Sequence, residues 1–353
     1  MNSSIKKLYA KLDTKDLDGL LVTSASNISY LTKFPSRDSY LIVSKKEVTY
    51  LTDSRYAEEA RKGLRKSIAV KRINGSVFKL IAEVCLNSGL RRIGFEERNL
   101  PFAEYQEIKE GLDKKAKLIP THSLIEELRE IKDARELEKI KKAIRITAAA
   151  LKFIKGLLRP GIKEIEVVAE LERFIRYKGA SNNAFDIIVA SGANSSFPHH
   201  ISSQRKLKIN EPVLIDIGVD CAGYKSDLTR VFFLGKINHY TRAIYDIVLE
   251  AQDRSIKRIK PAESIAEIDK TARQYITQKG YGSFFGHNLG HGIGLDIHEE
   301  PHISKKETKT LKPGMVFTIE PAIYLPRKFG IRIEDMVLVN EKGCEVLSGA
   351  VNK

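Results

Sequence analysis

Cysteine is scarce in this sequence, and long apolar runs are absent. The 353 residues include three cysteines, Cys85, Cys221 and Cys344, an odd number without the close spacing of metal ligands. This excludes a disulfide framework and favours reduced thiols in the cytoplasm. No run approaches the roughly 18 apolar residues that a membrane helix needs, and no apolar run near the start resembles a signal peptide. We therefore expect a cytoplasmic protein that does not use a membrane as a partner.

Acidic residues are outnumbered by basic ones, 45 against 60, which gives a formal net charge of +15. A basic excess is typical of proteins that bind nucleic acid. Here the excess is shared almost equally between residues 1–125 and the rest of the chain. The densest basic run, residues 61–72, also lacks any aromatic side chain that could stack on bases. We therefore expect no nucleic-acid partner.

The first 125 residues alternate short apolar runs with helical patterns. Strands are predicted at residues 19–22, 40–43, 48–52, 68–70, 92–95 and 118–119, and helices at residues 1–12, 54–66, 77–86 and 103–112. This alternation predicts an α/β layer domain over residues 1–125. A densely charged segment then predicts one continuous helix over residues 126–155, which opens a second domain over residues 126–353.

Two acidic residues lie on a predicted β-hairpin within the second domain. Asp216 belongs to an apolar strand, residues 212–219, and Asp227 begins the returning strand after a turn near Ala222 and Gly223. Folding about that turn places Asp216 opposite Thr229, with Asp227 two positions along. Such diagonal neighbours lie about 7–8 Å apart, which suits carboxylates that reach toward two metal ions about 3.5–4 Å apart.

A second predicted hairpin carries two glutamates. Residues 318–321 and 330–339 flank a turn, which places Glu320 opposite Glu334. Opposed carboxylates repel each other unless a cation lies between them. Because strand side chains alternate, Thr318 shares a face with Glu320, and Arg332 shares a face with Glu334. Arg332 is thus predicted to donate to a ligand carboxylate and orient it.

Histidines are few, but half of them are clustered. Of the eight in the chain, His287, His291, His298 and His302 fall within 16 residues that are rich in glycine. Burying four carboxylates is tolerable only when cations neutralise them. Asp216, Asp227, His291, Glu320 and Glu334 therefore predict a centre with two divalent metal ions per chain. Oxygen-rich coordination favours Mn²⁺, with Co²⁺ or Zn²⁺ as alternatives.

The motifs between residues 199 and 335 resemble, in order and in combination, those of proline-specific metallopeptidases. They are Asp216-Ile217-Gly218, Tyr224 with Ser226 to Arg230, His287 to Gly294, His298-Glu299, Thr318 to Pro321 and Arg332 to Asp335. Prolidase and aminopeptidase P, which have the pita-bread fold, share this pattern. The resemblance implies an α/β N-terminal domain followed by an α+β pita-bread catalytic domain. It also implies a homodimer whose N-terminal domain docks against the partner subunit.

The resemblance assigns a role to each matching residue. Asp216 chelates one metal ion, Asp227 and Glu334 bridge both ions, and His291 and Glu320 complete the second ion's ligands. Glu320 also relays the proton of the attacking water. Among the remaining residues, His199 and His298 contact the substrate and stabilise the tetrahedral intermediate, His287 and Arg332 belong to the substrate pocket, and Tyr224, Thr318 and Arg332 support the ligands. His200, next to His199, is an alternative for the substrate contact.

The implied activity is hydrolysis of the bond between an N-terminal residue and a following proline, on a peptide substrate with proline in second position. The main alternative is a non-catalytic peptide-binding or interaction module on the same scaffold, because fold alone does not fix function. The complete set of five ligands favours catalysis. Methionine aminopeptidases and creatinase-like hydrolases are weaker alternatives. The sequence leaves open whether the substrate is a dipeptide or a longer peptide.

Overall fold

The computed structural model describes residues 3–353, and the chain divides into two compact units after Arg129. The sequence predicted this division after residue 125. Residues 1 and 2 of the predicted N-terminal helix lie outside the described residues. Within residues 3–353, no helix is both long enough and apolar enough to span a bilayer.

The first unit is an α/β layer structure, as the sequence predicted. Its elements are α1 (Ser3–Thr14), β1 (Gly19–Val22), α2 (Ala25–Thr32), β2 (Ser39–Ser44), β3 (Val48–Thr52), α3 (Ala57–Gly63), β4 (Ile68–Arg72), α4 (Val77–Asn87), β5 (Arg92–Glu96), α5 (Phe102–Gly111), β6 (Lys117–Thr121) and α6 (Glu126–Arg129). The six strands form one sheet in the order β4-β3-β2-β1-β5-β6. Strand β2 pairs antiparallel with both of its neighbours, and the outer pairs are parallel.

The predicted continuous helix over residues 126–155 is wrong, because the chain leaves the helical path between α6 and α7 (Ala134–Lys155). Asp133 caps α7 in a capping box with Glu136. Just before it, the Lys132 backbone N–H donates to the Gly314 carbonyl at 2.9 Å, and Ile131 forms a β-bridge with Met315. These backbone bonds to a distant segment outweigh the local preference for helix.

The second unit, Glu130–Lys353, combines two pairs of long helices with short antiparallel sheets. After α7 come α8 (Glu164–Tyr177), β7 (Asn182–Asn183), β8 (Ile188–Ser191), β9 (Pro212–Ile217), β10 (Val219–Cys221), β11 (Tyr224–Lys225), β12 (Leu228–Phe233), α9 (His239–Arg258), α10 (Ile265–Gln278), β13 (Gly290–Gly292), β14 (Glu299–Ile303), β15 (Val316–Ile319), β16 (Ala322–Leu325), β17 (Phe329–Arg332), β18 (Asp335–Val339) and β19 (Cys344–Val346). Short 3-10 helices lie at Gly192–Ser196 and Gly282–Phe284. Three of the sheets have the orders β12-β9-β8, β14-β13-β15-β18-β19 and β16-β17.

The central strands are buried on both faces because helices cover both sides. Phe317 of β15 packs in a core with α9 and α10, whereas its neighbour Val316 packs in a core with α7 and α8. Successive residues of β18 divide between the two cores in the same way. Neither face of these strands is therefore exposed to solvent. This explains why their sequences are continuous apolar runs in which polar residues do not alternate. The acidic residues on these strands are consequently buried.

Candidate metal centre

The first acidic hairpin has the predicted register. Asp216 of β9 pairs directly with Thr229 of β12, so Asp227 lies two positions along on the opposite strand. Strands β10 and β11 continue the same register to the turn, where Ala222 and Gly223 have φ values of 54° and 84°. Two consecutive residues with positive φ match the two-residue turn that best fits the twist of a hairpin.

The second acidic hairpin also has the predicted register. Ile319 pairs with Asp335 where β15 meets β18, and Ala322 pairs with Arg332 where β16 meets β17. Glu320 and Glu334 lie between these two ladders, and both ladders keep the same pairing. The two glutamates are therefore opposite each other, as the sequence indicated.

Strand β13 brings His291 against both acidic hairpins, and its glycines make this approach possible. A Cβ atom on Gly290 would lie 1.9 Å from the Thr318 carbonyl oxygen, and one on Gly292 would lie 2.2 Å from the Glu300 carbonyl oxygen. Neither contact is physically possible. The Gly-His-Gly sequence is thus required for β13 to fit between β14 and β15.

The candidate ligands converge. One ligand atom each from Asp227, His291 and Glu334 lie within 4.8 Å of one another. His291 Nε2 is 3.6 Å from Asp227 Oδ2 and 3.4 Å from Glu320 Oε1. These separations are too long for strong hydrogen bonds, but they suit ligands around a shared cation. Together with Asp216, these residues line one cavity of about 350 Å³.

The charges in this cavity fit divalent cations. Among the described residues, Asp216 Oδ1 and Asp227 Oδ1 are buried and accept no hydrogen bond. Burial, followed by repulsion from Asp216, raises the pKa of Asp227 well above its usual value, and burial and Asp227 do the same for Glu334. Buried carboxyl groups that repel one another need positive charge between them to remain ionised. The donor set therefore fits the metal ions that the sequence implied.

Arg332 lies beside the acidic cluster, and all three nitrogens of its guanidinium group donate hydrogen bonds there. It donates from Nη2 to Asp216 Oδ2 at 2.6 Å, from Nη1 to the Tyr324 hydroxyl at 2.6 Å and from Nε to Thr229 Oγ1 at 3.1 Å. Arg332 thus donates to Asp216, a carboxylate of the candidate ligand set.

Tyr324 is a cavity residue that the sequence analysis missed. Its hydroxyl lies between Arg332 and His287, whose Nε2 is 3.1 Å away. Burial raises the pKa of Tyr324 to about 12, so the phenol stays protonated. The hairpin register could have indicated Tyr324, because Tyr324 is two positions from Ala322, the strand partner of Arg332. Its side chain is therefore a diagonal neighbour of Arg332.

Two fully buried threonines hold the two glutamates in the same manner. Thr229 Oγ1 donates to Glu334 Oε2 at 2.7 Å while it accepts from Arg332. Thr318 Oγ1 donates to Glu320 Oε1 at 3.2 Å while it accepts the His291 backbone N–H at 3.2 Å. In each case the single hydroxyl hydrogen is directed at a candidate ligand, which fixes the carboxylate's rotamer before metal binds.

Replacing either threonine by valine is expected to weaken metal binding by about 10- to 100-fold, because the glutamate loses the donor that orients it. Thr229→Ser and Thr318→Ser keep the hydroxyl and should stay within a few-fold of the wild type. Isothermal titration of the metal-free proteins with Mn²⁺ measures the difference. Thr32→Val, which removes a buried hydroxyl of the first unit, is the control and should leave metal affinity unchanged. Equal affinities for the valine and serine variants would contradict this role.

Two of the cavity histidines, His287 and His298, have a lowered pKa and are uncharged at neutral pH. The His298 ring meets the His291 ring edge to face, with centroids 4.3 Å apart. Burial and the neighbouring His291 lower the pKa of His298 to about 4. Burial also lowers the pKa of His287, whose Nδ1 lies 2.7 Å from the Asn288 carbonyl oxygen. A neutral imidazole can still donate one N–H to a substrate.

The structure separates the two adjacent histidines His199 and His200. His199 lines the cavity. His200 Nε2 lies 2.9 Å from Glu164 Oε2, a fully buried carboxylate that also accepts from Ser191 and Ser203. His199 is therefore the member of the pair that lines the cavity with the candidate ligands.

Tyr224 is not brought to the ligands. Its hydroxyl donates to Glu136 Oε1 of α7 at 2.8 Å, and it is not among the residues that line the cavity.

In the same unit, Lys132 forms a 2.8 Å ion pair with Glu299, and their side chains are only 1% and 5% exposed. Glu299 directly follows His298. No local motif indicated this pair, because 167 positions separate its members and only the tertiary fold joins them.

Two acidic hairpins and one histidine strand, set between helix layers, define a metal-dependent hydrolase with a pita-bread catalytic domain. Comparison with known proteins identifies the family. The chain belongs to metallopeptidase family M24, whose model matches residues 138–341, and a creatinase/prolidase N-terminal domain matches residues 4–131. The resemblance and the fold class expected from the sequence are thereby confirmed.

Similar proteins match over nearly the whole chain. An Xaa-Pro dipeptidase from Pyrococcus furiosus is 35% identical over 99% of this chain and 98% of its own length. The structure of an Xaa-Pro dipeptidase from Bacillus anthracis superposes with a TM-score of 0.94 at 39% identity, covering 98% of this chain and 96% of that one. An X-Pro aminopeptidase from Thermotoga maritima gives a TM-score of 0.88 at 35% identity, covering 94% and 96%.

Proposed function

We propose that this protein is a metal-dependent exopeptidase that hydrolyses the bond between an N-terminal residue and a following proline. The observation that carries the proposal is the cavity itself, in which all five candidate ligands meet His199, His287 and His298. The similar proteins named as Xaa-Pro dipeptidases and X-Pro aminopeptidases support the same substrate class. A non-catalytic binding module has no support here, because no ligand position is lost.

We propose that Asp216, Asp227, His291, Glu320 and Glu334 would hold two divalent ions. Mn²⁺ is the ion that this oxygen-rich set favours, with Co²⁺ and Zn²⁺ as alternatives. Such a pair supplies a water of lowered pKa and polarises the scissile carbonyl. The remaining chemistry belongs to side chains of this chain.

Glu320 and His298 have complementary tasks in this proposal. Glu320 reaches the cavity and can accept the proton of the attacking water, then deliver it to the departing proline nitrogen. Neutral His298 can donate its N–H to the oxyanion that forms on the attacked carbonyl. His199 contacts the peptide, and Arg332, through the Tyr324 hydroxyl, holds His287 in place.

The cavity suits proline for a simple reason. A peptide bond to proline has no N–H, so the site needs no acceptor for that hydrogen. Phe185, Ile188 and Ile297 provide apolar wall beside the imidazoles. A secondary amide in the same place would bury an unpaired N–H, which carries a free-energy cost.

We expect Ala-Pro-Ala to be cleaved with a kcat/KM about 10- to 200-fold above that of Ala-Ala-Ala, the range that pocket discrimination supplies. Release of the N-terminal alanine by the Mn²⁺-loaded protein is the measurement. Comparable values for the two peptides would contradict proline specificity and indicate a general aminopeptidase.

The proposal also includes a cytoplasmic homodimer. The dimer follows from the family resemblance, and the cytoplasmic location is supported by three unpaired cysteines. Light scattering of the purified protein measures the oligomeric state, and a mass of one chain would contradict the dimer.

A further inference from the structure

Asp269 and Arg273 form an ion pair one turn apart on α10, outside the metal cavity. Arg273 donates from Nε to Asp269 Oδ2 and from Nη2 to Asp269 Oδ1, both at 2.8 Å. The Asp269 side chain is fully buried, whereas the Arg273 side chain is 23% exposed. Neither residue is among those that line the metal cavity. The proposed reaction therefore gives this pair no direct contact with the substrate.

The pair also holds the backbone of the segment that leads into β13. Arg273 donates from Nη1 to the Phe285 carbonyl at 3.0 Å and from Nη2 to the His287 carbonyl at 2.8 Å. Asp269 Oδ1 accepts the Leu289 backbone N–H at 3.1 Å. The Arg273 guanidinium carbon also lies 4.3 Å from the centre of the Phe285 ring. One ion pair thus contacts every second residue of this segment.

Gly286 makes the backbone of this segment conformationally free. It separates Phe285 from His287, and a Cβ atom at Gly286 would meet no heavy atom of the described residues within 4 Å, apart from its chain neighbours. Glycine accepts many backbone conformations. Because Arg273 donates to the carbonyls on both sides of Gly286, it restricts a position that side-chain packing leaves free.

The His287 ring depends on the position of this backbone. Its centroid lies 5.2 Å from that of the Phe285 ring, edge to face, and its Nε2 lies 3.1 Å from the Tyr324 hydroxyl. Arg332 donates to that hydroxyl, so the hydroxyl hydrogen is free to donate to Nε2. His287 Nδ1 then carries the ring hydrogen and donates to the Asn288 carbonyl at 2.7 Å. A shift of the backbone would break both hydrogen bonds of the ring.

We propose that Arg273, held by Asp269, is a positioning residue that acts through His287. By donating to the carbonyls on either side of Gly286, it keeps the His287 ring in place at the wall of the metal cavity. This inference rests on the proposed function and adds a residue that the substrate does not touch. A lysine at this position would keep the positive charge beside Asp269, but it would lack the planar fork that reaches the carboxylate and both carbonyls together.

The test is a double-mutant cycle of Arg273→Lys and His287→Ala, measured as kcat/KM for Ala-Pro-Ala with the full-length Mn²⁺-loaded protein. His287→Ala should lower kcat/KM. Arg273→Lys should lower it by about 10- to 100-fold, the cost of a misplaced pocket group. In the His287→Ala background the same change should cost less than about twofold, because the ring that it positions is gone.

Two further variants complete the cycle. Asp269→Asn keeps the size of the side chain but replaces one oxygen that accepts from Arg273, and it should show the same dependence on His287. Arg242→Lys is the matched control, because Arg242 pairs with Asp246 at the same spacing on α9 and both side chains are exposed. It should leave kcat/KM at the starting value in both backgrounds.

Amide hydrogen exchange over residues 285–289 gives a second measurement, which does not depend on activity. Exchange should be faster in Arg273→Lys than in the wild type, and unchanged in Arg242→Lys. Unchanged exchange in Arg273→Lys would overturn the positioning role. So would unchanged kcat/KM in either single variant of the cycle, or equal losses with and without His287, since a general loss of stability acts in both backgrounds. Failure of the wild type to cleave Ala-Pro-Ala would instead refute the proposed function, and hydrogen exchange would still test the role of Arg273.

Discussion

Removal of divalent metal by a chelator is expected to abolish hydrolysis of Xaa-Pro bonds, and addition of Mn²⁺ or Co²⁺ is expected to restore it. The reason is electrostatic. Asp227 and Glu334 are buried beside further carboxylates, which raises the pKa of both groups, and among residues 3–353 Arg332 is the one guanidinium that lines the cavity. Without metal ions, nothing else in the cavity can supply the charge that these carboxylates and a water nucleophile require.

Activity toward Ala-Pro-Ala, measured before chelation, after chelation and after metal addition, tests this expectation. Circular dichroism of the metal-free protein should show that the chain remains folded, so that lost activity reports the site alone. Mass spectrometric metal analysis of the reconstituted protein should give two ions per chain. Full activity in metal-free protein would contradict the metal centre.

Replacing His298 by alanine is expected to lower kcat by about 10²- to 10³-fold, the usual cost of losing one oxyanion donor. Metal content should remain at the wild-type value, because His298 packs against His291 through its ring and is assigned no metal. His239→Ala, which removes an exposed histidine of the same unit, should change neither quantity. Loss of metal from the His298 variant would reassign that residue as a ligand.

The positions of the carboxylates could be predicted because they depend on local rules. A turn at Ala222 and Gly223, together with the two-residue alternation of strands, is enough to pair Asp216 with Thr229. The same reasoning placed Glu320 opposite Glu334. Both hairpins are short-range structures, so the sequence contains most of the information that sets their registers.

Other features could not be predicted from local patterns alone. Helix α2 was missed because Ser24, its N-cap, precedes a run of residues with modest helix propensity. The break before α7 depends on bonds to Gly314 and Met315, which are remote in sequence. Tyr224 matches a family motif, but its hydroxyl is directed to Glu136 of α7, a contact that its own hairpin does not reveal.

The ion pair between Lys132 and Glu299 determines where a self-sufficient catalytic fragment can begin. The M24 match starts at residue 138, but Lys132 and Glu136 precede it and face Glu299 and Tyr224. A fragment trimmed to the match would remove the ammonium that faces the Glu299 carboxylate, and losing one member of a buried pair costs about 3–5 kcal/mol. Excised domains and chimaeras should therefore be cut before Glu130, so that the segment joining the two units stays with the chemistry it supports.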